Sequence, residues 1–326
     1  MKQKILITGC LGFIGYHITL KLLKNSKFNV LGVDNINDYY DIQLKKDRLK
    51  NIKLNSTNFT FQKLDITNNN QLKRLFKKNK ITHIIHLAAQ AGVRNSIKSP
   101  RVYLENNING FFNVLEMSRM HNIKHLIFAS TSSVYGDAKS FPLTEEDNTD
   151  KPLSFYAATK KSNEVMAYAY SNIYKIPITG LRFFTVYGPY GRPDMSLFKF
   201  TKGIIDKNSI SLFNKGNHVR DFTYIDDIVD GISLVINKPP IGKVPFDIFN
   251  LASGNPKSLK FFLNAIENKL NIKARKKLYG MQKGDVYKTH ANVNKLSKFI
   301  NYKPRISVNR GVKNFVEWYI KFYNKK

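Results

Sequence analysis

Along the first half of the chain, short runs of consecutive apolar residues alternate with longer stretches whose apolar positions recur every three or four residues. The runs are Lys4-Ile5-Leu6-Ile7, Val30-Leu31-Gly32-Val33, Phe59-Thr60-Phe61, His83-Ile84-Ile85-His86-Leu87 and His125-Leu126-Ile127-Phe128-Ala129. A strand covered on both faces has no polar alternation, so these runs predict buried parallel strands. Between the first two, Ile14, Ile18, Leu22 and Leu23 share one face of a helix from Gly15 to Leu23. Strand and helix repeated in this way make βαβ units, and hence an α/β fold with a doubly wound parallel (Rossmann) sheet. After about Ile178 the pattern loosens, and Pro177, Pro189, Pro193, Pro239, Pro240, Pro245, Pro256 and Pro304 punctuate shorter elements. The strand-like Phe246-Asp247-Ile248-Phe249-Asn250 predicts one return to the main sheet. The expected organisation is a Rossmann domain over 1–177 and a smaller, partly interleaved lobe over 178–326. Segments near 178–187 and 222–250 should return to the main domain.

Composition narrows the class. With 42% hydrophobic residues in 326, the chain can bury a core large enough to offset its conformational entropy. A single Cys excludes a disulfide scaffold and fits a reducing compartment. No run of about 18 apolar residues is present, so no membrane insertion is expected. The sequence passes straight into its first strand pattern without a small-residue cleavage site, so a cytoplasmic location is expected. The formal charge of +30 comes mostly from Lys, since only 11 of 53 basic residues are Arg. The lysines are scattered in pairs such as Lys45-Lys46, Lys77-Lys78 and Lys276-Lys277. Nucleic-acid readers instead cluster Arg and Lys among aromatic platforms, so solvated faces are expected and no nucleic-acid partner. Such a field would still steer an anionic substrate. The seven His residues show no metal-ligand spacing, and no metal is expected.

Candidate chemistry begins directly after the first run, at Thr8-Gly9-Cys10-Leu11-Gly12-Phe13-Ile14-Gly15. Three spaced glycines between a strand and a helix let the backbone approach a pyrophosphate at the positive helix N-terminus. Asp34 ends the second strand nineteen residues beyond Gly15, followed by Asn35, where a carboxylate binds a ribose diol. A carboxylate there also repels a 2′-phosphate, which favours NAD over NADP. Cys10 lies in the loop without a neighbouring base and reads as a small filler.

The second constellation is Tyr156-Ala157-Ala158-Thr159-Lys160, at the start of a helical pattern after Pro152. Four residues make one helical turn, so phenol and ammonium leave the same face. A nearby cation stabilises the phenolate and makes Tyr a usable base near neutrality. Upstream, Ser130-Thr131-Ser132-Ser133-Val134-Tyr135-Gly136 ends the fifth strand at the sheet's carboxyl edge, where such folds bind ligands.

Taken together, the chain resembles the extended short-chain dehydrogenase/reductase family, in its nucleotide-sugar epimerase/dehydratase branch, over nearly its whole length. The resemblance rests on Thr8 to Gly15, Leu64-Asp65-Ile66, Leu87-Ala88-Ala89, Asn107-Ile108-Asn109-Gly110, Val134-Tyr135-Gly136, Tyr156 to Lys160 and Arg220-Asp221-Phe222-Thr223-Tyr224-Ile225-Asp226-Asp227. It implies a tightly bound, recycled NAD on Gly9, Gly12, Phe13, Ile14, Gly15, Asp34 and Asn35. By the same resemblance Asp65 and Ile66 meet the adenine, Leu87, Ala88 and Ala89 line the dinucleotide, and Asn107 lies near the nicotinamide half. It further implies catalysis by Tyr156, Lys160 and Thr131, and a homodimer built on two long helices flanking the site.

Three segments are similar to UDP-glucuronate 4-epimerases in particular: Asp34 to Asp41, Ala89-Gln90-Ala91-Gly92-Val93-Arg94, and Arg182 to Met195 with its Gly188-Pro189-Tyr190-Gly191-Arg192-Pro193-Asp194. That likeness implies a UDP-sugar substrate, oxidised at C4 through Tyr156 and returned from a 4-keto intermediate to the opposite epimer. Family dehydratases carry an acidic pair just after the Thr, and the decarboxylases a Glu where Ser133 stands. Here Ser132 and Ser133 occupy those places, which favours a plain epimerase. A 4-keto uronate is a β-keto acid, so its carboxylate must be held near the carbonyl plane. Arg192 with Ser132, Ser133 and Thr185 is the expected clamp, and Arg94 the next candidate. Arg220 matches a diphosphate-binding position and Asp285 one near the nucleotide ribose. Gln282 departs from the Arg of UDP-galactose 4-epimerases, and Lys283 from the commoner Pro. The alternatives are a neutral UDP-hexose 4-epimerase, a UDP-glucuronate decarboxylase, and, without chemistry, a basic nucleic-acid or membrane-surface binder.

Overall fold

The computed structural model describes residues 3–323. Seven strands form one parallel sheet: β1 (Gln3–Thr8), β2 (Phe28–Asp34), β3 (Phe59–Lys63), β4 (His83–His86), β5 (His125–Thr131), β6 (Ile178–Phe183) and β7 (Phe246–Leu251), in the spatial order β7-β6-β5-β4-β1-β2-β3. Register is set with Ile5 opposite Val30 on one side and His83 on the other. The order reverses between β1 and β4, which opens a crevice at the carboxyl ends of those strands.

Alternate residues of each strand serve different cores, as the two-residue period requires. Ile5, Ile7, Ile85 and Ile127 face one apolar cluster, whereas Leu6, Ile84, Leu126 and Phe128 face the other. Helices α1 (Phe13–Leu23), α2 (Ile42–Leu54), α3 (Asn69–Lys78), α4 (Gly110–Met120) and α5 (Phe155–Tyr174) cover the sheet. Ser154 caps α5 by accepting from the Ala157 N–H at 3.1 Å, which fixes Tyr156 in its first turn beside the end of β5.

The strand expected at Phe246 is β7, paired with β6 at the sheet edge. The remaining short strands stand apart from the sheet: Thr185–Tyr187 runs parallel to Phe222–Tyr224, and Ser209–Leu212 parallel to Arg275–Leu278. Helices α6 (Ile225–Val235), α7 (Leu259–Leu270) and α8 (Val308–Tyr323) complete this half, α6 packing on α1 and α7 on α8. The cluster containing Ile5 and Ile127 continues into Phe222, Phe262 and Phe315. Phe222 and Phe262 stack at 4.2 Å. One continuous core therefore holds the C-terminal half against the sheet.

Candidate active site

The glycine turn is shaped by close contact. Gly9 sits at φ +68°, and a Cβ there would lie 2.7 Å from the Ala88 nitrogen. At Gly15 a Cβ would meet the Gly9 carbonyl oxygen at 2.1 Å. Gly12 closes the turn by donating to Gly9 O at 2.9 Å and begins α1 with no side-chain cap, leaving the first helical N–H groups open to the crevice. Asp34 is fixed by the Leu11 N–H on Oδ2 (3.1 Å) and the Ile36 N–H on Oδ1 (2.8 Å). Each oxygen keeps a lone pair for a ribose hydroxyl. A glycine cradle at an uncapped helix and a fixed carboxylate at the next strand end suit a dinucleotide. Phe13, Ile14, Asn35, Ile66, Leu87, Ala88 and Ala89 line the same crevice. Burial, with the Asp34 charge second, pushes the Cys10 thiol well up, so it is inert filler.

Two of the expected cofactor residues have side chains held by protein partners. Asn107 is buried, and its side chain is taken up by protein: Oδ1 accepts from Gln90 N (2.7 Å), and Nδ2 donates to Gln90 O (3.0 Å) and Thr159 Oγ1 (3.0 Å). It ties the exit of β4 to α5. The cause is a π-helical turn, Leu104–Asn109, which turns Asn107 inward. The Asp65 carboxylate accepts from Asn35 Nδ2 (2.9 Å) and from the Thr67 N–H and hydroxyl. It braces Asn35, and only its neighbours Leu64 and Ile66 reach the crevice.

The crevice opens into a cavity of about 1020 Å³ that also holds Thr131, Ser132, Ser133, Tyr156, Lys160, Thr185, Arg192, Arg220, Arg94 and Asp285. Burial raises the Tyr156 phenol above its ordinary value, while a hydrogen bond with Thr131 and the Arg192 charge pull it down. Lys160 lies one turn on, its ammonium donating to Asn163 Oδ1 at 3.0 Å. Burial lowers it to about 8 against the raising influence of Glu164. Thr131 Oγ1 donates to Ser133 Oγ and accepts the Ser133 N–H, both at 3.2 Å, so the two hydroxyls form one rim.

At the other end, Arg192 grips Asp194 through Nε (3.0 Å) and Nη2 (2.5 Å). The Nη1 edge has no such internal partner. Tyr39 reaches the same carboxylate at 3.4 Å, with its ring under the guanidinium. Arg220 hydrogen-bonds only backbone carbonyls, of Val219, Val286 and Tyr287. Burial lowers its pKa to about 10, opposed by Asp285 and assisted by Arg94, so an anionic ligand would relieve it. Arg94 pairs with Asp285 at 3.2 Å and lies over the Phe213 ring, joining the two sides of the cavity. The acids beside Arg220 do not reach the cavity. Asp221 accepts from the backbone of Ser253, Gly254 and Ala291, and Asp227 from Arg305 and Ile306.

The family model described as the NAD dependent epimerase/dehydratase family matches residues 5–252. The chain belongs to this family. Protein CapI of Staphylococcus aureus is 50% identical, over 99% of this chain and 100% of its own length. A UDP-glucuronate 4-epimerase of Thermodesulfobacterium geofontis is 45% identical over 96% of this chain and 95% of its own. The UDP-glucuronic acid 4-epimerase of Bacillus cereus, solved with UDP-glucuronic acid and NAD, superposes with a TM-score of 0.92. It has 33% identity and covers 98% of this chain and all of that one. Membership in an NAD dependent family agrees with the cradle at Gly9 to Gly15 and with the carboxylate at Asp34.

Sequence reasoning missed three residues that shape this family's site here. Glu164 lies four residues after Lys160, on the same helical face, and that spacing was readable. Asn163 holds Lys160 and donates to Asn107 O at 2.7 Å, so it links α5 to the inward-turned segment. Asp194 follows Arg192 by two residues, and only the folded turn reveals their pairing.

Proposed function

We propose that the protein interconverts UDP-glucuronate and UDP-galacturonate by inverting C4, with NAD as the recycled cofactor. The observation that carries this reading is Arg192. A guanidinium with one edge held by Asp194 presents its other edge to the cavity, close enough to Tyr156 to lower its phenol. A planar fork suits a sugar carboxylate, and a neutral sugar has no group to complement it. Ser132 and Ser133, where related enzymes carry acids, supply hydroxyl donors and no group for elimination or decarboxylation.

Bound NAD would supply reversible hydride transfer at C4, the redox half of the reaction. Gly9 to Gly15 would bind its pyrophosphate and Asp34 its adenosine ribose. Tyr156 takes the proton of the 4-OH and gives it back, and Thr131 orients the same oxygen. Lys160 holds the ribose beside the phenol and adds positive charge there. A cationic nicotinamide ring is the further influence needed to bring Tyr156 down to a working range, because the chain's own groups leave it high. Arg220 binds the diphosphate, and Phe213 and Asp285 meet the nucleoside. Arg192, Thr185, Ser132 and Ser133 hold the carboxylate near the plane of the 4-ketone.

The homodimer belongs to this proposal as well. Phe112 on α4 and Val165, Tyr168 and Ile173 on α5 are exposed apolar side chains on two neighbouring helices, which suit a second copy of the chain. No helix among the described residues is long and apolar enough to cross a membrane. A cytoplasmic site of action accords with the lone buried thiol.

The test is direct. Purified protein is incubated with UDP-glucuronate and with UDP-glucose, and the sugar products are identified. UDP-galacturonate without carbon dioxide is expected, and Tyr156→Phe should slow turnover by about 10²–10⁴ while leaving NAD binding intact. Equal efficiency on UDP-glucose, or a pentose as the main product, overturns the assignment.

A further inference from the structure

Arg48 on α2 is 0% exposed, and no carboxylate lies within ion-pair distance of it among the described residues. A cation in such a place costs several kcal/mol unless its N–H groups find acceptors. Three acceptors converge on it. Nη1 donates to Leu11 O (2.6 Å) and to Tyr40 Oη (2.7 Å), and Nη2 donates to Tyr190 O (2.6 Å). Its Nε has no partner.

The two carbonyls belong to the two turns that matter most. Leu11 lies between Gly9 and Gly12, and its own N–H is fixed on Asp34. Tyr190 lies in the turn from Gly188 to Arg192, at φ +55°, a left-handed conformation that costs a non-glycine residue about 1 kcal/mol. Other contacts hold that turn in place. His17 Nε2 bonds Pro189 O at 2.9 Å, and the Tyr190 ring packs 4.8 Å from both Tyr16 and Trp318. Through its two η nitrogens Arg48 joins this turn to the pyrophosphate turn. A lysine, with a single ammonium, cannot reproduce a planar fork between two carbonyls.

We propose that Arg48 is a positioning residue that locks the Arg192 turn to the glycine turn, so that the carboxylate clamp is set from the cofactor side. The inference rests on the uronate reading above. Its chemical consequence follows from the 4-keto intermediate. If Arg192 gains slack, the C5–carboxylate bond can swing toward the carbonyl π axis. That bond then breaks, carbon dioxide leaves, and its electron pair passes to the ketone as an enolate. C5 takes a proton from solvent, giving a UDP-4-keto-pentose while the cofactor stays reduced; return of the hydride to C4 would give the UDP-pentose and restore NAD.

Arg48→Lys and Arg48→Met test this, with His17→Gln loosening the same turn through Pro189. The first readout is the ratio of pentose plus carbon dioxide to epimerised uronate, which does not depend on how much protein is folded. The second is NAD affinity, by titration of the cofactor-stripped chain. Both Arg48 variants should form the pentose product, absent from the wild type. kcat should drop about tenfold, with KM changing much less, and NAD should bind about tenfold more weakly. His17→Gln should raise the pentose ratio without the loss of NAD affinity. A merely structural Arg48 would lower the melting temperature and leave product ratio, KM and NAD affinity as in the wild type, which overturns the proposal. If Arg48→Met does not fold, the ratio in Arg48→Lys decides. If the wild type does not act on UDP-glucuronate, the uronate reading fails by itself, and the NAD affinity of Arg48→Lys still decides whether the two turns are joined.

Discussion

Among the arginines that grip a carboxylate side-on, Arg182 and Arg192 differ most instructively in their surroundings. Arg182 on β6 binds Glu164 through Nε and Nη2, both at 2.9 Å, with 4% and 3% of the two side chains exposed. Ser130 donates to Glu164, and Arg182 Nη1 donates to Tyr135 Oη and Glu145 O. Tyr135 in turn donates to Asn250 on β7. Every member has its partners, so the network fastens α5, β5, β6 and β7 together behind the catalytic edge. Burial lowers Arg182, but Glu164 and Tyr135 raise it above its ordinary value. Arg192 has the same side-on pairing with Asp194, but 19% and 32% of those side chains are exposed and the pair faces the cavity. One guanidinium has no edge left for a ligand, and the other keeps one. Identical local chemistry is thus enclosed in one place and open to a cavity in the other.

The largest expected effect comes from breaking the enclosed pair. Glu164→Gln leaves a buried guanidinium without its counter-charge and should cost roughly 3–5 kcal/mol of stability, read by denaturant unfolding. A loss below about 1 kcal/mol would show that the network does not fasten the strands.

Next comes the open pair. Arg192→Lys replaces a fork by a point charge, so kcat/KM on UDP-glucuronate should drop roughly ten- to a hundredfold, the worth of one charge-assisted bond. Stability should change little, because the site is at the cavity wall. An unfolding midpoint shifted as far as in Glu164→Gln would erase the distinction between the two pairs.

What the sequence disclosed about these regions follows from how local each feature is. The strand runs, the glycine turn, Asp34 and the Tyr156-Lys160 turn are short-range patterns, and the fold holds them where the pattern required. Ser132, Ser133 and Arg192 were legible as candidates through their position after a strand or within a Gly-rich turn. The partners were not. Arg182 and Glu164 are 18 residues apart on a strand and a helix, and each alone looks like an ordinary charged position. Arg48 sits on a helix so rich in Lys that nothing marks it as the buried member. The partners of Asn107 were not legible either, because a π-helical turn changes which way a helical residue faces, and no spacing rule reports that.

A third cation sharpens the comparison, because it has neither arrangement. The Lys160 ammonium is buried and donates to the neutral Asn163, with burial bringing it to about 8 from 10.5. A lysine whose folded value lies below its unfolded one opposes folding fully below about pH 8. That opposition fades as the pH rises toward 10.5, where the unfolded chain also loses the proton. Lys160→Met should therefore stabilise the cofactor-free chain by roughly 1–3 kcal/mol at pH 7, and by less at pH 10, while turnover is lost. A destabilised variant at pH 7 would mean that Lys160 is better compensated than its contacts indicate.

The smallest effect is expected at Asp194, and its direction decides what the open pair does. Asp194 holds the Nε–Nη2 edge of Arg192 at the cavity wall, which fixes the guanidinium plane. It also sits within reach of Tyr39, so plane and ring are held together. Burial lowers Arg192, whereas Asp194, Tyr39 and Tyr40 raise it, so the guanidinium stays charged throughout. Asp194→Asn keeps one acceptor of the same size and removes the charge-assisted second bond, worth about 1 kcal/mol where the pair is partly exposed. kcat/KM on UDP-glucuronate should then fall about three- to tenfold, mostly through kcat, because a freer guanidinium still attracts the carboxylate but no longer fixes its plane. If the internal carboxylate instead competes with the sugar's own, the variant will bind UDP-glucuronate more tightly and KM will fall. Measured side by side with Arg192→Lys, the sign of that KM change separates a carboxylate that aims the arginine from one that must be displaced before the substrate can bind.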